Sequence, residues 1–261
     1  AEQAMKEYEP DNPQKIIPIL IKGEKAASLW FWNHTGFSGT SEERKKWEEK
    51  VAKESNLKWL VFTKWREFVG AIKLSLGIQI DAITDKETVA PGESFLTSVR
   101  VFFPNAENIK IKEISLITPD TFTKSGDWIV SKAEEPKDAS QNPFRREVAK
   151  SSAFFDVKIP ANAKLTEPSF LENTANPNPP FQSEIIRAGI TIEVDGKEIR
   201  FGQPLEYRFA DDIRGEIRRE LNIVPALSVS LDQKLLIVPQ SEKAQVKRVV
   251  MSLTNNSSKQ I

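Results

Sequence analysis

The pattern of hydrophobic and polar positions changes once along the chain, close to Gly77. Before it, apolar residues recur every three or four positions, which is the spacing of one face of an α-helix. After it, apolar and polar residues alternate, as in strands with one buried face. The pattern therefore predicts a helical segment over residues 1–76 and β-structure beyond it.

Two helices are predicted in the first segment. One runs from about residue 14 to 32, and Pro18 fits within its first turn, so the helix can start later than Gln14. The other follows a capping box at residues 40–43 and is kinked or split near residues 55–56. Two helices of this size bury little area alone, so we expect them to dock on a neighbouring domain. Their apolar faces are formed by Ile17, Leu20 and Ile21, and by Phe62, Trp65, Val69, Ile72 and Leu76.

Short alternating segments with turn signals between them fill residues 77–209. The segment 95–103 stops at Pro104, and the alternation of 109–116 slips by one residue after Ile111, which indicates a β-bulge. Asp195-Gly196 lies between two alternating segments and predicts a hairpin with a type I′ turn, which needs positive φ at both residues. Many short strands without intervening helices are typical of an antiparallel, immunoglobulin-like β-sandwich.

Residues 210–261 are predicted to be a charged junction and the start of a second β-domain. The segments 227–231, 235–238 and 246–254 have the pattern of its first three strands, with residues 232–234 as a tight connection between the first two. The chain begins at Ala1 without a methionine, and few residues follow the last predicted strand. We therefore expect it to be part of a longer protein.

Composition narrows the possible functions. The chain has 37 basic and 37 acidic residues, so no long-range field attracts nucleic acid, and nucleic-acid binding is not expected. With no cysteine, thiol catalysis and thiolate metal sites are excluded. No apolar run reaches the roughly 18 residues of a spanning helix, so no membrane span is predicted.

Four segments resemble the region that follows the catalytic domain in long members of the PIG-L/LmbE-like deacetylase family. They are residues 89–95 (Val-Ala-Pro-Gly-Glu-Ser-Phe), 100–104 (Arg-Val-Phe-Phe-Pro), 166–171 (Thr-Glu-Pro-Ser-Phe-Leu) and the charged stretch 207–226. The resemblance implies a parent protein whose Rossmann-like domain uses zinc to remove an N-acetyl group from N-acetylglucosamine conjugates. That chemistry rests on a His-Pro-Asp-Asp motif and a later His-x-x-His pair.

The histidines of that chemistry are missing from this chain. Its one histidine, His34, is followed by Thr35, so no catalytic, cofactor-binding or metal-binding residue can be carried over, and zinc is expected only in the missing catalytic domain. The resemblance implies a non-catalytic accessory region of a secreted bacterial deacetylase, periplasmic or extracellular, that positions the catalytic domain of the same chain or a glycan. The alternative is a free-standing carbohydrate- or protein-binding, adhesion-like β-sandwich module. This chain itself is not predicted to be an enzyme.

Four aromatic residues lie close together near the end of the first predicted helix: Trp30, Phe31, Trp32 and Phe37. Such a group favours a docking surface for another domain, and a platform for stacking sugar rings is the alternative. His34 lies among them and is interpreted as a helix-end or loop residue rather than a catalytic one.

Acidic and basic residues alternate in the stretch 207–226. Because the arginines recur three or four positions from carboxylates, as on one helix face, we expect interdomain ion pairs in a charged connector. A glycosidase carboxylate pair that includes Glu220 and a calcium site at Asp211 and Asp212 are the alternatives. The residues of the predicted connector are Asp211, Asp212, Arg214, Glu216, Arg218 and Arg219.

Overall fold

The structure is a computed structural model that describes residues 1–35, 55–104, 109–119, 127–135, 151–166, 185–233, 235 and 246–258. In this part the helices are α1 (Glu2–Glu7), a 3-10 helix (Pro13–Ile16), α2 (Ile17–Thr35) and α3 (Ser55–Ser75). The strands are β1 (Gln79–Thr84), β2 (Thr88–Val89), β3 (Ser94–Phe102), β4 (Ile109–Ile117), β5 (Ile129–Ala133), β6 (Ser151–Lys158), β7 (Arg187–Val194), β8 (Lys197–Pro204), β9 (Glu206–Asp211), β10 (Gly215–Glu220), β11 (Asn222–Ile223), β12 (Leu227–Leu231) and β13 (Met251–Asn255).

Two sheets pack face to face in the centre of the molecule. One has the strand order β10-β9-β1-β3-β6-β5 and the other β4-β7-β8. The order β1-β3-β6-β5 against β4-β7-β8 corresponds to the ABED and CFG sheets of a constant-type immunoglobulin domain. The predicted fold class, mainly β with an immunoglobulin-like sandwich and an N-terminal helical segment, is confirmed.

The sandwich core is built by alternate residues of both sheets. Ile190, Ile192 and Val194 of β7 are fully buried, and so are Val99 and Val101 of β3. Their period of two puts them all on the inner faces, where burial of apolar area is the main stabilising effect. After β8 the chain crosses to the other sheet at residue 205, and β9 pairs with β1 in parallel.

The predicted hairpin turn and the predicted β-bulge of the sandwich are both confirmed. Asp195 and Gly196 have φ values of 50° and 74° and connect β7 to β8, as a type I′ hairpin requires. The register of β4 against β7 shifts between Ile111 and Glu113, which is the predicted bulge. β3 ends at Phe102, close to the predicted stop at Pro104.

The helices pack against the sandwich through the predicted faces. Ile17, Leu20 and Ile21 of α2 are buried, as are Ile72 and Leu76 at the end of α3, and all belong to one hydrophobic cluster with the sandwich core. Pro18 lies in the first turn of α2, as predicted. The capping box at residues 40–43 lies outside the described residues.

Close approach of the two long helices depends on a glycine. A Cβ atom on Gly23 would lie 2.5 Å from the ring of Phe68, so only glycine allows this distance. Among the described residues, no helix is both long and apolar enough to cross a membrane.

One prediction for the last part of the chain is wrong. The charged residues from Asp211 to Arg219 form strands and a turn, not a helical surface, because β9 and β10 pair as an antiparallel hairpin at the edge of the large sheet. β12 pairs with β13, which begins at Met251, and the predicted connection at 232–234 and strand at 235–238 lie mostly outside the described residues. We call β9–β10 the charged hairpin and β12–β13 the ribbon.

Candidate functional site

The place where the ribbon leaves the sandwich is held by a set of specific bonds. β11 pairs with β2 in parallel, and the Val224 N–H donates to the Val89 carbonyl oxygen at 3.0 Å. Thr166 bonds to Ile223 twice: its N–H donates to the Ile223 carbonyl at 2.8 Å, and its Oγ1 accepts the Ile223 N–H at 2.7 Å. Val89 and Ile223 are almost completely buried. We call this region, residues 89–93, 166, 221–226 and 256–258, the joint.

The ribbon end of the joint is fixed by a carboxylate and an amide. Oε1 of Glu93 accepts the backbone N–H of Ser258 at 2.6 Å and its hydroxyl at 2.7 Å. The side chain of Asn256 donates to the Pro225 carbonyl at 2.9 Å and to Oγ of Ser228 at 2.6 Å. Residues 221–226 contain no glycine, and Pro225 restricts its own φ and the residue before it. The chain therefore passes from sandwich to ribbon in one bonded conformation.

The hydrogen bonds of the joint lower the pKa of Glu93. Burial acts to raise its pKa, but the hydrogen bonds donated by Ser258, and by the N–H of Ala90 at 3.3 Å, outweigh burial and hold the pKa of Glu93 below its ordinary value. Its ionised form is therefore the one that the joint stabilises. The sequence prediction missed this residue, and the only local signal is its position directly after the Pro91-Gly92 turn.

Two of the predicted ion-pair residues, Glu216 and Arg218, belong to a network on one face of the charged hairpin. Arg218 reaches three carboxylates: Nη1 lies 2.8 Å from Oδ1 of Asp81 and 3.2 Å from Oε2 of Glu206, and Nε lies 2.7 Å from Oε1 of Glu216. Arg208 donates to Oδ2 of Asp81 at 3.2 Å. The network joins β10 and β9 to β1, so these charges connect strands of one sheet.

Electrostatics in the network favour the charged form of Arg218. Burial would lower the pKa of Arg218, but its bonds to Glu216 and Glu206 and the charge of Asp81 outweigh burial and raise it. Arg100 lies opposite Asp81 in the register of β3 and β1 and is 6% exposed. Burial lowers the pKa of Arg100, and nearby Asp81 is among the charges that oppose the change.

The remaining predicted ion-pair residues lie at the tip and edge of the charged hairpin. Oδ1 of Asp211 accepts the backbone N–H groups of Ile213 and Arg214 at 3.0 and 2.7 Å, so this carboxylate shapes the turn. Asp212 is exposed at the same turn. Arg219 leaves the network and binds Glu87 at 2.7 Å. Among the described residues, no group of three His, Asp or Glu side chains could hold a metal ion.

One of the four predicted aromatic residues, Phe31, lies between the two long helices. The Phe31 ring lies 5.3 Å from Phe62 and 5.9 Å from Trp65 of α3, measured between ring centres. Nε1 of Trp65 donates to Glu24 of α2 at 2.8 Å. Trp30 is partly buried on α2. Trp32 and His34 lie in the last turns of α2, and Phe37 lies outside the described residues.

The joint includes residues from three of the segments compared above with the deacetylase family. The segment 89–95 supplies Val89 and Glu93, Thr166 begins the segment 166–171, and the stretch 207–226 supplies Ile223 and Val224. Residues 167–171 lie outside the described residues.

Similarity to known proteins is found among solved structures. No protein-family model matches the sequence, and no curated protein matches it. Among solved structures, the Escherichia coli adhesin FdeC is similar over 68% of this chain and 40% of its own, with 9% identity and a TM-score of 0.19. Domains 1–6 of the surface layer protein SbsC are similar over 69% of this chain and 21% of their own, with 13% identity and a TM-score of 0.20. The chain thus spans less than half of either structure.

Proposed function

We propose that this chain is a non-catalytic, adhesion-like β-sandwich module that holds the ribbon in a fixed position relative to the sandwich. The observation that supports the proposal is the joint. There, backbone pairs, the two Thr166–Ile223 bonds and the Glu93 carboxylate act together on a segment that has no glycine. A flexible linker would need none of these bonds.

Ordering a connecting segment has a cost in conformational entropy. Fixing one residue costs about 1–2 kcal/mol of backbone entropy, so a linker is ordered only where its bonds offset that cost. In the joint, buried Leu221 and Ile223 and paired backbone groups on β2 and β11 supply the compensation. Selection for a defined orientation of the ribbon explains why a connector would carry so many contacts. As part of the proposal, the module works outside the bacterial cytoplasm.

Distance measurements between spin labels test the proposal. The chain has no cysteine, so label sites can be introduced without background. We would place one label at Glu198→Cys in the sandwich and another at Ser230→Cys in the ribbon, both at exposed positions. The expected result is one narrow distance distribution at neutral pH.

The matched control is a pair inside the sandwich, Lys158→Cys with Glu198→Cys, which sets the width of a fixed distance. A distribution for the pair 198–230 that is no wider than this control supports a fixed joint. Adding Glu93→Ala should broaden the 198–230 distribution and leave the 158–198 distribution unchanged. A broad or multimodal 198–230 distribution in the unmodified joint would overturn the proposal.

A second candidate function is the accessory region of a PIG-L/LmbE-like deacetylase, with the catalytic domain of the same chain as its partner. The observation that favours it is the convergence of three resembling segments on the joint. Sequencing the source gene upstream of the Ala1 codon tests it. An in-frame His-Pro-Asp-Asp motif and a later His-x-x-His would support this candidate, and an upstream region without them would reject it.

A further inference from the structure

The charged hairpin has a second face that carries aromatic rings. Tyr207 and Phe209 are two residues apart on β9, so their side chains leave the strand on the same side. Their ring centres are 6.0 Å apart and the ring planes differ by 27°. On the paired strand, Ile217 lies opposite Phe209 and Arg219 lies opposite Tyr207. The hairpin thus presents two nearly parallel rings beside an arginine.

Polar groups border these rings on one side. The guanidinium carbon of Arg219 lies 5.1 Å from the centre of the Phe209 ring, a cation–π distance. Nη1 of Arg219 also lies 2.7 Å from Oε1 of Glu87. About half of the Arg219 side chain is exposed (54%), and Tyr207 and Phe209 are only partly buried. The rings and the ion pair therefore form one surface that solvent reaches.

We propose that this surface, Tyr207, Phe209, Arg219 and Glu87, binds a neutral oligosaccharide. Aromatic rings offer flat apolar faces, which match the C–H faces of sugar rings. Sugar hydroxyls both donate and accept hydrogen bonds, while a guanidinium only donates and a carboxylate only accepts. Arg219 and Glu87 supply the two kinds of group side by side.

Charge decides between a sugar and the other ligands that stack on aromatic rings. A nucleotide would bring phosphate, which needs unpaired basic groups. Here Arg219 is neutralised by Glu87, and the hairpin arginines of the opposite face are bound to Asp81, Glu206 and Glu216. A purely apolar partner would leave the Arg219–Glu87 pair covered without replacing its water. A neutral, hydroxyl-rich ligand avoids both costs.

The proposed site gives the adhesion-like module a ligand class, the neutral oligosaccharides. It rests on the adhesion-like part of the proposed function. Its four side chains are not part of the joint at residues 89–93, 166, 221–226 and 256–258, although the Glu87 carbonyl oxygen accepts the N–H of Asn222 at 3.0 Å. The two ideas therefore fail separately: a fixed joint with no sugar binding would reject only the site, and a flexible joint would leave the site unaffected.

The test uses the whole chain on an array of neutral oligosaccharides that includes hexose and N-acetylhexosamine tetramers. The expected result is binding to at least one neutral oligosaccharide, which is then titrated in solution. Tyr207→Leu keeps an apolar side chain of similar size but removes the ring, and should weaken binding about tenfold. Tyr207→Phe keeps the ring and should bind within about threefold of the unmodified chain.

Tyr8→Leu is the matched control, because Tyr8 is an exposed tyrosine at the end of α1, away from this face. Its binding should equal that of the unmodified chain. Glu87→Gln should alter which hydroxyl patterns bind, since the carboxylate acceptor is lost. No binding to any neutral oligosaccharide would overturn the site. So would a Tyr207→Leu variant, with an unchanged unfolding transition, that still binds with full affinity.

Discussion

The charged hairpin and the ribbon are both two-stranded antiparallel units of five or six residues per strand, but they are held in different ways. The hairpin pairs with β1 through Glu206 and Tyr207, and both of its faces carry contacts. The ribbon is bonded at its base, through Asn256 and Ser258, and one of its faces is apolar and exposed. That face is formed by Leu227, Val229, Leu231, Met251 and Leu253.

The difference shows that similar local geometry can have very different stability. An isolated two-stranded unit is marginal in water, so its stability comes from what it is attached to. The hairpin shares the cooperativity of the sandwich sheet, whereas the ribbon depends on a few bonds at one end. Four predictions test this difference.

The largest effect is expected from Asp81→Ala. Arg208 and Arg218 both reach this carboxylate, which is 17% exposed, so its removal takes a buried acceptor from two arginines that keep only their weaker or more exposed pairs with Glu206 and Glu216 among the described ion pairs. We expect a loss of about 2–3 kcal/mol in the free energy of unfolding, measured by urea denaturation. The matched control is Glu113→Ala, whose pair with Arg200 is exposed and 3.8 Å long, and it should cost less than about 0.5 kcal/mol. Equal losses in the two variants would contradict the network.

An intermediate and local effect is expected from Glu93→Ala. Loss of the acceptor for both Ser258 groups should speed amide exchange in β12 and β13, corrected for intrinsic rates, by about tenfold or less, with little change in β3 and β7. Glu198→Ala, an exposed glutamate in the β7–β8 hairpin, is the control and should leave the exchange unchanged. Faster exchange throughout the sandwich would show that Glu93 supports the whole fold.

The hydrogen bonds from Ser258 to Glu93 also predict that amide exchange in the ribbon depends on pH. Because the pKa of folded Glu93 lies below the ordinary value of about 4.3, its stabilisation is complete above that value and is lost as pH falls through the folded pKa. Corrected exchange of the ribbon should therefore rise under acid conditions relative to the sandwich. In Glu93→Gln this selective rise should disappear.

The smallest effect is expected from Val229→Ser on the ribbon. Val229 is 57% exposed, so the change should cost less than about 0.5 kcal/mol. Val99→Ser in the sandwich core, where the side chain is fully buried, should cost at least about 2 kcal/mol. A large loss for Val229→Ser would show that the exposed face is covered in solution.

Local signals in the sequence predicted the parts of the fold that depend on neighbouring residues. Asp195-Gly196 needs only its own backbone preferences, and the apolar period of two in β7 needs only one buried face. The charged hairpin was misinterpreted because Arg and Glu recur both at helical and at strand spacing. Tyr207, Phe209 and Ile217 at alternate positions around Gly215 were the stronger signal. β12 and β13 overlap two predicted strands, but they pair across about twenty residues, which no local pattern contains.

The candidate sites depend on contacts that no local pattern contains. Glu93 and Ser258 are separated by 165 positions, and Asp81 and Arg208 by 127. The ring contacts of Phe31 also depend on tertiary packing, because Phe31 meets Phe62 and Trp65 only after α2 and α3 pack. The sequence indicated the residues of the charged stretch and of the joint segments. The residues that they contact follow only from the strand topology.

The parallel pairing of β2 with β11 has a consequence for a protein under tension. The chain enters the sandwich through β1 and β2 and leaves it through β11, so opposite forces on the two ends pull the paired strands along their length in opposite directions. In this shearing geometry the hydrogen bonds of β2–β11, the Val224–Val89 bond and the β1–β9 pairs resist together and do not open one at a time. This pairing of two residues per strand is thus placed where a pulled chain must break several bonds at once before the core is exposed.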